Sequence, residues 1–148
     1  MFKILTENMF VSPQIDVAAV ADAAAQGVTL IINNRPDGEA EGQPQGADIA
    51  AAALAAGIAY VAIPVTQAGF SMPQVEAMVA ALDGASGPNA PNGKVLAYCR
   101  SGTRSTNLWA LAQASGGASA GSLTRAAANA GYDLSPLRAM IDMLGQRA

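Results

Sequence analysis

Tyr98-Cys99-Arg100-Ser101-Gly102-Thr103-Arg104-Ser105 is the stretch from which the rest of this chain can be read. The run leading into it, Lys94-Val95-Leu96-Ala97-Tyr98, is short and apolar, as a buried strand is. A helical pattern begins at about Ser105. The one cysteine of the chain therefore ends a strand and opens a tight loop ahead of a helix. Consecutive backbone N–H groups that feed a helix N-terminus attract anions. The helix adds roughly half a positive charge at its start. Arg104 offers a planar fork of donors, Gly102 permits the φ angles that let N–H groups converge, and Ser105 has a hydroxyl to donate to sulfur. Such surroundings favour a thiolate over a thiol. A lone cysteine is more often a small buried hydrophobe. The flanking Arg-Ser-Gly-x-Arg-Ser and the strand–loop–helix setting shift the reading toward a nucleophile.

Outward from this loop the chain alternates between strand and helix patterns. Lys3 to Val11 reads as one or two short strands. Ser12-Pro13 has the form of a helix start, with Ser12 as N-cap and Pro13 at the first helical position. That helix is predicted to run to Gln26, with Gly27 ending it. Val28-Thr29-Leu30-Ile31-Ile32-Asn33 is continuous, partly β-branched and predicted as a central strand. Glu41 to Gln45 predicts an exposed loop. Helices are predicted over Gly46 to Ala56, after an N-cap at Ser71, and over Ser105 to Ala114, Ser119 to Ala130 and Ser135 to Leu144. The second of these has an apolar face of Val75, Met78, Val79 and Leu82. Ile58 to Val65 reads as a strand, and Gly84 to Gly93 as a turn-rich connection. Trp109, Met72, Met78, Met140 and Met143 read as core.

This alternation implies an α/β fold with a largely parallel sheet flanked by helices, as one domain over residues 1–148. Ligands in such folds bind beyond the carboxyl ends of the strands. That rule brings together the Arg35-Pro36-Asp37 loop, the Thr66 to Phe70 loop and the cysteine loop. Arg35 is a candidate anion ligand and Asp37 a candidate acid. The alternative is a turn fixed by Pro36 and Gly38, in which the charges of Arg35, Asp37 and Glu39 are solvated or paired.

Composition excludes several chemistries. Hydrophobic residues make up 51% of the chain and charged residues 13%, which argues for a packed core and against disorder. A net charge of −3 and a pI near 4.7 argue against nucleic acid as a partner. With no histidine and one cysteine, there is no internal disulfide, no Cys-His or Ser-His-Asp arrangement and no ordinary zinc site. No metal or other cofactor is expected. Cys99 must be activated by backbone dipoles, arginines or hydroxyls. No stretch is long and apolar enough to span a bilayer, and the N-terminus lacks an uninterrupted apolar h-region. The expected location is the cytoplasm, where a free thiol stays reduced.

The loop resembles those of two enzyme groups. Protein tyrosine and dual-specificity phosphatases carry Cys-x5-Arg followed by Ser or Thr, usually with His before the Cys. Rhodanese-type sulfurtransferases carry a loop shorter by one residue, and single-domain members often read Tyr-Cys-Arg-Ser-Gly-x-Arg-Ser. Cys99-x4-Arg104, with Tyr98 ahead of it, is similar to the rhodanese loop. One residue spans up to about 3.3–3.6 Å, so the shorter loop makes a smaller cradle. Three equatorial phosphoryl oxygens each need donors; the terminal sulfur of a persulfide asks for less room. Dual-specificity phosphatases also place an acidic Asp roughly thirty residues before the Cys to protonate the leaving group. The corresponding Pro64-Val65-Thr66-Gln67-Ala68-Gly69-Phe70 holds no carboxylate. Sulfur transfer, which releases sulfite or a low-pKa thiolate, needs little acid help.

Over most of its length the chain is similar to a bacterial family, the phosphatase-like domain of beta-lactamase-hydrolase-like proteins, whose members are also described as sulfur transferases. The residues that carry the likeness are Ser12-Pro13-Gln14, Ile32-Asn33-Asn34-Arg35-Pro36-Asp37-Gly38-Glu39, Ile63-Pro64-Val65, the cysteine loop with Leu108-Trp109-Ala110, and Ala130-Gly131-Tyr132-Asp133. The resemblance implies a protein-tyrosine/dual-specificity-phosphatase-like fold with a shortened loop. In some members the domain is fused to a metallo-hydrolase domain that oxidises persulfides. The resemblance therefore admits a persulfide-oxidising enzyme as a partner.

The leading expectation is a Cys99-dependent sulfurtransferase. Its thiolate takes sulfane sulfur from a small anionic donor, thiosulfate or glutathione persulfide, and the Cys99 persulfide passes it to an acceptor thiol. Cys99 and Arg104 are the catalytic pair. Arg100, Ser101, Gly102, Thr103 and Ser105, with Arg35, form the substrate-binding set. One alternative is a phosphatase with a Cys99 thiophosphate intermediate. Another is a non-catalytic module that senses anions or persulfides.

Overall fold

The computed structural model describes residues 2–86, 90 and 92–146. Its strands are β1 (Lys3–Thr6), β2 (Met9–Ser12), β3 (Val28–Asn33), β4 (Ala59–Ala62) and β5 (Lys94–Tyr98). They form one sheet in the order β1-β2-β5-β3-β4. β1 and β2 pair antiparallel; β2, β5, β3 and β4 run parallel. β5 is central, as its apolar run predicts, and so is β3. The register sets Ser12 level with Tyr98, Tyr98 with Asn33, and Asn33 with Ala62. Four parallel strands thus end at one height, and their loops leave the sheet side by side.

Side chains alternate across a strand, and a parallel sheet is buried on both faces. Val95 and Ala97 lie on one face with Val11 and Ile32; Leu96 and Tyr98 lie on the other with Phe10 and Ile31. In β3 the register shifts between Val28 and Leu30. Val28 therefore joins the second face and Leu30 the first. The first face is covered by α3 (Met72–Ser86), α4 (Thr103–Ser115), α5 (Ala120–Asn129) and α6 (Arg138–Gln146). The second is covered by α1 (Val17–Ala25) and α2 (Gly46–Ala55). α4 is buried on nearly all sides, through Ser105, Thr106, Leu108, Trp109, Ala110, Leu111, Ala112 and Ala114. The helix that follows the cysteine is therefore held by the core.

Several predicted boundaries move, each for a local reason. Ser12 does not cap a helix: it pairs with Tyr98 in the sheet, and its hydroxyl donates to the Pro13 carbonyl at 2.8 Å. α1 starts at Val17 instead, with Asp16 as N-cap accepting from the Ala19 N–H at 2.9 Å. β4 stops at Ala62, short of the predicted Val65, where its partner β3 ends at Asn33, although the Ile63 and Val65 N–H groups still donate to the Asn33 and Asn34 carbonyls. α4 begins two residues earlier than predicted, since the Ser101 hydroxyl accepts from the Thr103 N–H. In α3 the side chain of Gln74 reaches back to the Ser71 N–H, the reciprocal half of a capping box. Ser135–Leu137 is a separate 3-10 turn before α6. Met78 is core, but Met72 and Met143 are 37% and 50% exposed. α3 runs on to Ser86, and residues 87–89 and 91 of the predicted Gly84 to Gly93 connection lie outside the described residues. Among the described residues no helix is long and apolar enough to cross a membrane.

If α4 is the packed centre of the first face, Leu111→Ala, at a fully buried position, should lower the unfolding free energy by about 2–5 kcal/mol. Leu54→Ala, at a side chain 80% exposed on α2, should change it by less than about 0.5 kcal/mol. Urea unfolding of the two variants checks the contrast.

Candidate active site

Cys99 follows β5 directly and is 1% exposed. Its own N–H donates to the Ser12 carbonyl at 3.4 Å, and the Gln14 N–H donates to the Arg100 carbonyl at 3.2 Å. The loop after β2 thereby holds the start of the cysteine loop. The chain then turns through Gly102, whose φ of +92° suits glycine. The Gly102 N–H donates to Cys99 Sγ at 3.1 Å. A thiolate is the better acceptor for such a bond. Arg100, Ser101 and Thr103 are exposed on the rim. The Ser101 hydroxyl donates to Thr103 Oγ1 at 2.9 Å, so these two side chains shape the helix start.

Arg104, in the first turn of α4, joins three loops. Its Nη1 donates to Glu39 Oε2 at 2.7 Å and to the Val65 carbonyl at 2.6 Å; its Nη2 donates to Glu39 Oε1 at 2.7 Å. Arg35 Nε donates to the same Glu39 Oε1 at 2.9 Å, and Arg35 Nη1 donates to Gln14 Oε1 at 3.1 Å. One carboxylate thus sits between two guanidinium groups. The Arg104 hydrogen bonds, ahead of the opposing effect of burial and reinforced by Arg35, hold the Glu39 carboxyl down at about 2. Arg104 is raised in turn, first by its bonds to Glu39, with a further contribution from the neighbouring Cys99 sulfur. Three of its five N–H groups are engaged with Glu39 and Val65, which leaves two beyond those bonds.

Not every expected role survives. Ser105 donates its single hydroxyl proton to Asn34 Oδ1 at 2.8 Å, so it does not bond the sulfur. Asp37 accepts from the Gly46 N–H at 2.8 Å and so ties the loop after β3 to the start of α2. Arg35 is 5% exposed and is paired, the second of its two expected arrangements. Tyr98 turns to the opposite face, where burial above all, then Tyr60, pushes its phenol up.

Four residues complete the site beyond the expected set. Glu39 binds both arginines. Asn34, fully buried, donates its N–H to the Tyr98 carbonyl at 2.8 Å and its Nδ2 to the Ile63 carbonyl at 2.9 Å, besides accepting from Ser105. Gln14 bridges Arg35 and the Arg100 carbonyl. Tyr132 donates its hydroxyl to the Ser101 carbonyl at 2.9 Å. The charge pairing that the sequence offered for Arg35, Asp37 and Glu39 is the signal that points to Glu39.

The family profile described as "Beta-lactamase hydrolase-like protein, phosphatase-like domain" matches residues 1–116. A beta-lactamase hydrolase-like protein of Agrobacterium fabrum is 36% identical over 110 residues, 74% of this chain and 24% of its own length. The chain therefore spans about a quarter of the curated relatives it matches. Among solved structures, a candidate phosphatase from Neisseria meningitidis is 35% identical, with a TM-score of 0.79 over 96% of both chains. Tk-PTP in its active form shares the fold at 14% identity, with a TM-score of 0.76 over 99% of this chain and 97% of that one. The fold is the protein-tyrosine/dual-specificity-phosphatase-like one. These likenesses favour the phosphatase alternative over the sulfurtransferase expectation.

Replacing Glu39 tests the lock between the loops. Glu39→Gln should cost about 1–3 kcal/mol of stability at pH 7, as expected for lost charge-assisted bonds. A carboxyl whose folded value lies below its ordinary value stabilises fully above that ordinary value, 4.5, and loses the contribution as pH falls toward about 2. The gap between wild type and variant should therefore be constant above pH 5 and narrow between pH 4.5 and pH 3. Urea unfolding across that range reads it; a gap that does not change with pH contradicts the assignment.

Proposed function

Because the chain belongs to the phosphatase-like domain family of beta-lactamase hydrolase-like proteins, we propose that it is a cysteine-dependent hydrolase of small phosphate esters. The observation that carries this reading is Cys99 Sγ beneath the Gly102 N–H at the carboxyl end of the central strand, with Arg104 on the helix that follows. The Cys99 thiolate attacks phosphorus, forming an S–P bond as the P–O bond to the leaving group breaks. The equatorial oxygens are met by loop amides, the start of α4 and the unengaged N–H groups of Arg104. Water then attacks the thiophosphate and releases inorganic phosphate, and the thiolate returns. With no carboxylate between Pro64 and Phe70, and with Asp37 held at Gly46, leaving groups that depart without a proton are the preferred substrates.

A second reading, sulfur transfer, is favoured by one observation: the four residues between Cys99 and Arg104 give a cradle smaller than a phosphoryl group asks for. Here the thiolate attacks the outer sulfur of thiosulfate or of glutathione persulfide, expelling sulfite or glutathione thiolate. An acceptor thiolate later removes that sulfur from the Cys99 persulfide. A persulfide-oxidising enzyme is the proposed partner in this case, and the reducing cytoplasm is the proposed setting for either chemistry.

One pair of measurements separates the two. Wild type should hydrolyse p-nitrophenyl phosphate, and Cys99→Ser should lower the rate at least about a thousandfold. Intact mass after incubation with thiosulfate or glutathione persulfide should show no sulfur adduct on either protein. Hydrolysis that persists in Cys99→Ser sinks the phosphatase reading. One added sulfur on wild type alone, without ester hydrolysis, replaces it with the second.

A further inference from the structure

We propose that Tyr132 is a positioning residue of the cysteine loop, holding the Ser101–Gly102 peptide in the one orientation whose N–H reaches Cys99 Sγ. The inference rests on Cys99 being the reacting group. Two hydrogen bonds carry it. The Tyr132 hydroxyl donates to the Ser101 carbonyl at 2.9 Å, and the Gly102 N–H donates to Cys99 Sγ at 3.1 Å. That carbonyl and that N–H belong to the same peptide plane. The peptide is trans, so its C=O and N–H point in opposite directions. Fixing the oxygen on one side aims the hydrogen at the sulfur on the other.

The loop needs such a device. Turns that differ by a flip of their central peptide differ in the sign of φ at the next residue. Gly102, at φ +92°, is the residue type that tolerates both signs. The backbone by itself therefore has an inexpensive alternative in which the Ser101 carbonyl oxygen, not the Gly102 N–H, faces the sulfur. An oxygen lone pair there would repel a thiolate and any bound anion. In the observed orientation a flip breaks the Tyr132 bond and the bond to sulfur together. The two bonds also polarise one peptide in the same sense, so each strengthens the other.

Tyr132 is placed firmly enough for this task. Gly131 turns the chain out of α5 at φ +95°, and the Tyr132 N–H donates back to the Ala127 carbonyl at 2.8 Å. The ring lies directly against the loop: a Cβ built on Gly102 would collide with the Tyr132 hydroxyl. Burial, and after it the charge on Cys99, keep the phenol above its ordinary range, so the hydroxyl stays a donor throughout the neutral range.

Tyr132→Phe removes the hydroxyl and keeps the ring. The probe is iodoacetamide, and the readout is the alkylation rate of the chain's one thiol at two pH values, with Cys99→Ser as the blank. At pH 6 the variant should react about 3- to 30-fold more slowly than wild type, the range expected for one weakened hydrogen bond to an ionised group. At pH 10 the two rates should agree within about twofold. Hydrogen exchange of the Gly102 amide should be faster in the variant. Equal rates at pH 6 overturn the proposal. So does slowing by the same factor at both pH values, which is what a merely structural role would produce. The thiol is read directly, so the answer does not depend on whether phosphate or sulfur is the substrate.

Discussion

The parallel ladder that sets Tyr98 level with Ser12 on one side and Asn33 on the other places everything else at the site. A one-residue slip of this strand would send every side chain to the opposite packed face. Val95 and Ala97, Leu96 and Tyr98 are all buried, on alternate faces, so the register is fixed twice over. Cys99 therefore leaves the sheet at a defined height beside Pro13 and Asn34. The backbone completes the junction before any side chain acts, through Cys99 to Ser12, Asn34 to Tyr98 and Gln14 to Arg100.

Side chains then bind the emerging loops to one another. Glu39 and Arg104 are 65 positions apart in the chain yet meet in a fork-to-fork pair. Arg35, 5% exposed, could not be covered as a charge without a partner, because a buried guanidinium needs paired charge and hydrogen bonds. Glu39 satisfies it and Arg104 together. The arrangement also sets the charge of the site. Two cations and one anion leave a single net positive charge beside Cys99, suited to a small anion. Arg104 keeps its orientation because its Nη1 is tied to the Val65 carbonyl as well. On the proposed reading, an incoming oxyanion meets donors that are already oriented, which is the condition under which such contacts assist reaction most.

What could be read from residues alone follows from the range over which each signal acts. The spans of β3 and β5 were legible to the residue, since a continuous apolar run bounded by polar residues has few other interpretations. The start of α1 was not. Ser12-Pro13 is a sound local helix signal, but pairing with Tyr98, far along the chain, outweighs it. The placement of Cys99, Gly102 and Arg104 at a strand end, a loop and a helix start was legible because all three lie within one short segment. Asp37 and Ser105 have the chemistry for the roles read from sequence, but their hydrogen bonds direct them to the Gly46 N–H and to Asn34 Oδ1. Tyr132 reaches Ser101 across 31 positions, and no local pattern announces a contact of that kind.

The balance between phosphorus and sulfur turns on how the donors are shared. A phosphoryl group presents three oxygens, and a shortened loop has fewer amides to meet them. Arg104 retains two N–H groups beyond those bound to Glu39 and Val65, and the start of α4 adds its unpaired amides. Loop and helix together can hold a tetrahedral anion only if the arginine stays turned toward the sulfur. The Glu39 carboxylate is therefore more than a structural tie. On the proposed reading it sets how much of the Arg104 fork is spent on the protein and how much is left for the substrate, and a loop one residue shorter makes that division weigh more heavily.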